Sequence, residues 1–128
     1  MARKRSFKTK TFSKWMKKTG LRDRSLLLAI NEMENGLIDA NLGCNVFKKR
    51  VAFPGAGKRS GARTIVASKY SGKWFFLFGF GKNEIENIGN DELIQLQATA
   101  RLLLCLSEAD IEKLLLIGEL KELIDHDK

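Results

Sequence analysis

The sequence predicts an α+β domain in which a small, mainly antiparallel sheet packs against helices from both ends of the chain. Three observations carry this: helical periodicity over the first 36 residues, a run of three β-prone segments between Val46 and Lys82, and a return to helical periodicity after Asn90. At 128 residues and 44% hydrophobic content the chain has material for one core, so a single domain over residues 1–128 is expected.

Taken in order, Ser6 to Thr9 is expected as a short edge strand. Phe12, Trp15 and Met16 then share one helical face, ringed by Lys14, Lys17 and Lys18, and that helix should stop at Gly20. A second helix is expected to be capped by Asp23 or Ser25 and to run through Leu27, Leu28, Ile30, Met33 and Glu34 toward Gly36, with its Leu and Ile positions facing the sheet. The segments VFKKRVAF, RTIVASKY and KWFFLFGFGK follow as strands. PGAGKRSGA joins the first two, and a tight turn at Ser71 and Gly72 joins the last two. Leu93, Leu96, Ala100, Leu103 and Leu104 describe an amphipathic helix starting near Asn90 and Asp91, and a further helix is expected from Glu108 to Ile124. The helices are expected on one face of the sheet.

Charge is segregated along the chain. Lys and Arg outnumber Asp and Glu by 19 to 4 from Met1 to Lys82, whereas from Asn83 to Lys128 the count is 4 to 11. A polycationic surface gains free energy from a polyanion through counterion release, which points to nucleic acid; a solvated basic face fits the same count. The opening MARKRSFKTK has charge but no apolar run after it, and no segment is long and uncharged enough to span a bilayer, so a cytoplasmic protein without a membrane partner is expected. Cys44 and Cys105 lack CxxC spacing and the one histidine, His126, sits in a charged tail. Free thiols, no metal site and no cofactor are the expectation.

The connection from Pro54 to Ala62 is glycine-rich and carries Lys58, but it lacks the glycine, the Ser or Thr and the following helix of a phosphate-binding loop. It reads instead as a hinged strand connection bearing Lys58 and Arg59, cations suited to a long polyanion. In VFKKRVAF a period of two sets Phe47, Lys49, Val51 and Phe53 on one face, with Lys48, Arg50 and Ala52 on the other. Arg63 on the neighbouring strand would extend the second face into a cationic cluster, although an exposed antiparallel face decorated with lysines for solubility is the preferred reading of these residues alone. The aromatics Trp74, Phe75, Phe76, Phe78 and Phe80 fit a central strand buried on both sides, with base stacking as the alternative. No nucleophile–histidine pair or paired carboxylates are in view, so an enzyme built on this sheet would act through cations on a phosphodiester.

The succession VFKKRVAFPGAGKRSGARTIVASK, WFFLFGFGKNEIENI and DELIQLQATARLLL, together with the opening FKTKTFSKW, resembles the RelE/HigB superfamily of bacterial toxin–antitoxin toxins up to about Leu106. The resemblance implies a microbial RNase-like fold and a toxin that inhibits translation as a ribosome-dependent, metal-independent mRNA interferase. In that family the 2′-hydroxyl attacks the adjacent phosphate, leaving a cyclic phosphate and a 5′-hydroxyl. It also implies a cognate antitoxin, often of helix-turn-helix type. Lys48 and Arg50 match the basic positions of the family's second strand, Arg63 the arginine opening the next strand, and Lys82 the lysine of the FGFGKNE segment. These four are the expected catalytic residues. Lys48 or Arg50 would contact the scissile phosphate and help remove the hydroxyl proton, Arg63 would stabilise the pentacovalent phosphate, and Lys82 would support the leaving group. Lys58, Arg59, Lys49 and Lys69 are the expected RNA-binding residues. A C-terminal tyrosine or histidine used by some relatives has no counterpart here. The acidic helical extension from about residue 107 is expected to complete the core, with covering of the cationic surface as its alternative. Two rival activities remain: a basic module that blocks the ribosome without cutting, and a ParE-like gyrase poison.

Overall fold

The computed structural model describes residues 4–53, 61–70, 72–81 and 88–124. The elements are β1 (Arg5–Thr9), α1 (Lys10–Lys17), α2 (Asp23–Glu34), β2 (Ala40–Gly43), β3 (Val46–Val51), β4 (Ala62–Ser68), β5 (Lys73–Gly81), α3 (Asn90–Leu104), α4 (Glu108–Leu116) and β6 (Leu120–Glu122). They form one six-stranded sheet in the order β2-β3-β4-β5-β1-β6. The sheet is antiparallel except where β1 runs parallel to β5. It is the α+β, mostly antiparallel arrangement that the sequence predicts, with two corrections. β1 is not an edge strand, because β6 pairs outside it. The helices also lie on both faces of the sheet rather than one.

Alternation along β4 and β5 explains the second correction. Ala62, Val66, Trp74 and Phe76 point to a core filled by Phe12 and Met16 of α1 and Leu26, Ile30 and Met33 of α2. Ile65, Ala67, Phe75 and Leu77 point the other way, to Ala100 of α3 and Ile111 of α4. A strand apolar on both sides needs cover on both, and the two pairs of helices supply it. The buried central strand expected from the aromatic run is therefore β5, and Trp74, Phe75, Phe76 and Phe80 are core side chains rather than platforms for bases.

Local chemistry sets the ends of the elements. The Thr9 hydroxyl accepts from the Phe12 N–H at 3.1 Å and starts α1. α2 begins at Asp23 with Arg22 as its cap, correcting the expected Asp23 or Ser25 cap; the Asp23 carboxylate instead accepts from Lys8 Nζ and the Ile124 N–H. Leu26 and Ala29 take the buried positions with Ile30 and Met33, while Leu28 faces outward. The final helix stops at Leu116, not Ile124, because Gly118 takes a φ of +82° and reverses the chain into β6. Leu120 and Leu123 then enter opposite cores. With Ile111 fully buried, the described part of the acidic extension completes the core. Gly79 meets the indole of Trp15 so closely that a Cβ there would overlap the ring. Among the described residues no helix is long and apolar enough to cross a membrane.

Candidate nucleic-acid interface

The register of β3 and β4 brings three of the expected catalytic residues together. Arg50 stands directly opposite Arg63, Arg63 opposite Phe80, and Lys48 opposite Ile65. Directly paired residues share a face with Cα atoms about 4.5–5.5 Å apart, and Lys48 follows on the same face roughly 7 Å along β3. This is the cationic cluster that the period of two predicts. Like charges directly opposite each other destabilise a sheet, by about 0.2–1 kcal/mol. A bound phosphate would reverse the sign of that interaction, and a guanidinium pair offers it bidentate contacts.

Arg63 and Arg50 each have a neighbour that holds the side chain, and among the described residues Lys48 does not. Arg63 Nη1 donates to the Gly61 carbonyl at 2.8 Å, and Gly61 itself sits against the Val51 carbonyl where no Cβ would fit. Arg50, whose side chain is 46% exposed, has its Nε 3.4 Å from Asp39 Oδ1, and its backbone N–H donates to Asp39 Oδ2 at 2.7 Å. The Lys48 ammonium has no hydrogen-bonding or ionic partner among the described residues.

Other expected residues do not join the cluster. Lys49 points through the sheet to the opposite face, where it is 3% exposed, donates to the Leu37 carbonyl at 2.9 Å and pairs with Glu32 at 3.0 Å. This corrects its assignment to RNA contact, since a buried ammonium already paired to a carboxylate is not offered to a polyanion. Lys69 follows the far end of β4, six residues and roughly 20 Å from Arg63 along the strand, so it is exposed but remote from the cluster. Lys58, Arg59 and Lys82 lie outside the described residues.

Two features were not read from the sequence. One is Asp39, placed at the cluster by the way β2 enters the sheet. The other is a cavity of about 280 Å³ bounded by Thr9, Phe78, Ile88, Glu92 and Leu96. Its lining includes a carboxylate and, among the described residues, no Lys or Arg, which suits a polyanion less well than the β3–β4 rung does. Three acidic residues of the extension are engaged elsewhere: Glu108, Glu112 and Glu122 pair with Arg5, and Glu108 also pairs with Lys73 at 2.7 Å. Lys73 and Arg5 hold the Glu108 carboxyl below its usual range.

Comparison with known proteins gives one result for the family: the model described as "RelE toxin of RelE / RelB toxin-antitoxin system" matches residues 4–123. No curated protein matches.

Proposed function

The chain belongs to the RelE toxin family of toxin–antitoxin systems, and from that premise we propose that it is a ribosome-dependent endoribonuclease that cuts messenger RNA and so arrests translation. As a toxin of such a system it pairs with an antitoxin. The observation that carries the cleavage reading is the Arg50–Arg63 rung with Lys48 beside it. Two guanidinium groups set opposite each other repel, whereas a phosphodiester entering its transition state is stabilised by both.

In the proposed reaction the 2′-oxygen forms a bond to phosphorus as the bond from phosphorus to the 5′-oxygen breaks. Lys48 or Arg50 contacts the scissile phosphate and so favours loss of the 2′-hydroxyl proton to water, which returns a proton to the departing oxygen. Arg63 meets the charge that builds on the pentacovalent phosphate. Lys82 supports the departing 5′-oxygen, which leaves as a 5′-hydroxyl, and Lys58 and Arg59 grip the flanking RNA. The products are a 2′,3′-cyclic phosphate and a 5′-hydroxyl end, without a metal.

One observation favours a second reading. The cluster offers cations but, among the described residues, no histidine or tyrosine beside them to transfer protons. That pattern also serves a module that binds the ribosome and blocks it without cutting. Primer extension on messages from translating ribosomes, set against the same RNA free of ribosomes, separates the readings. Discrete cuts that need the ribosome support the endoribonuclease, and intact message with stalled translation supports the blocker. Intact message with normal translation and inhibited DNA supercoiling points to a gyrase poison.

A further inference from the structure

We infer that Asp39 is a positioning residue of the cleavage site, acting through Arg50; the inference rests on the endoribonuclease reading above. β2 pairs with β3 only from Ala40 onward, so a regular ladder of carbonyls is not available beside the end of β3. Asp39 takes over there. Its N–H donates to the Lys48 carbonyl at 3.0 Å, its Oδ2 accepts the Arg50 N–H at 2.7 Å, and its Oδ1 lies 3.4 Å from Arg50 Nε. One residue thus joins the backbone on both sides of Lys49 and the guanidinium beyond it. Arg50 Nη1 and Nη2, by contrast, have no partner among the described residues. The carboxylate charge beside Nε biases the direction of the guanidinium fork before any phosphate arrives, and a cation placed in advance contributes most to a transition state.

The neighbouring residues repeat the pattern. From Met1 to Lys82 there are four carboxylate side chains: Asp23, Glu32, Glu34 and Asp39. Two of them hold consecutive residues of β3, Glu32 on Lys49 and Asp39 on Arg50, and the Leu37 carbonyl takes a further hydrogen bond from Lys49. The exit from α2 therefore grips β3 at Lys48, Lys49 and Arg50 from both faces of the sheet. The ion pair of Asp39 with a half-exposed arginine adds little to stability. Its consequence lies in where Arg50 points.

The test is cleavage of ribosome-bound messenger RNA by the full chain, with rate constants at saturating and limiting ribosome, for wild type, D39A, D39N and Arg63→Ala. Misplacement of Arg50 in D39A is expected to lower kcat by about 100-fold with KM changed little. D39N keeps an oxygen for the Arg50 N–H and should recover most of that loss, with an unchanged pH–rate profile. Wild-type kcat in D39A would overturn the inference. So would a D39N as inactive as D39A with the acidic limb of the profile gone, because that is the signature of a general base. Should wild type itself leave the message intact, the endoribonuclease reading fails and the inference falls with it; cutting by wild type with undiminished cutting by D39A removes the inference alone. D39N also serves if D39A does not fold.

Discussion

At the scale of single residues, neighbours on one strand have opposite assignments. Lys48, Lys49 and Arg50 are adjacent in sequence, yet Lys49 is sealed between Glu32 and Leu37 while its neighbours face out on the other side. The period of two already set Lys49 with Phe47 and Val51, so its direction was legible. Its partners were not, because Glu32 and Leu37 reach it through the packing of an earlier helix. Asp39 was invisible for a similar reason: its role depends on where β2 stops pairing, and β2 carried no strand signal. Lys49→Ala is expected to destabilise the fold by about 1–3 kcal/mol by stripping Glu32 and the Leu37 carbonyl of a buried donor. The same change should leave the salt dependence of RNA binding as it was, whereas Lys48→Ala should do the reverse. Chemical denaturation and salt titrations on a single-stranded RNA oligonucleotide check both halves.

Among the elements, the three central strands and the helical periods were legible in the sequence, whereas the Arg22 and Gly89 caps of α2 and α3 and the two added strands were not. β2 turns into β3 through Cys44 and Asn45, both at positive φ (54° and 65°), a hairpin without the Asn-Gly or Asp-Gly pair that usually announces one. β6 was hidden within an apparent helix, since Leu120 and Leu123 fit a helical spacing as well as a short strand and its exit. The FGFG segment of β5 has a packing reason that spacing could not reveal: Gly79 makes room for Trp15. Gly79→Ala must push the indole away and is expected to cost about 1–3 kcal/mol, read as a lowered Tm. The fastening of α4 and β6 to β1 and β5 is electrostatic at its rim. Hydrogen bonding to Lys73, and then to Arg5, lowers the Glu108 carboxyl from its ordinary 4.5. A lowered carboxyl contributes its stability above the ordinary value and loses it as the pH falls through the lowered one. The wild-type Tm should therefore drop more steeply below about pH 4.5 than that of Glu108→Gln, as thermal melts across pH 3–6 would show.

Across the whole molecule, the division between a basic first two thirds and an acidic remainder was plain in the sequence and suggested two roles for the tail. The structure favours completion of the core: Ile111 and Leu120 are buried in it, and Glu108, Glu112 and Glu122 pair with Arg5 or Lys73. Lys48, Arg50 and Arg63 thus form one cationic rung across β3 and β4, apart from the ion pairs of Arg5, Lys8, Lys49 and Lys73. If that rung binds phosphate, removing Arg63 should shallow the salt dependence of RNA binding by about 0.7 in the log–log slope, the share of one contact on a single strand.

The most direct measurement is the single-turnover rate of cleavage of ribosome-bound messenger RNA by wild type and by the Arg50→Ala and Arg63→Ala variants, with the chemistry of the new ends determined. The predicted result is a 2′,3′-cyclic phosphate and a 5′-hydroxyl from wild type, and a loss of about 100- to 1,000-fold in rate for each variant with the fold retained. Cleavage at the wild-type rate by folded variants lacking Arg50 or Arg63 would contradict the assignment of this rung as the site.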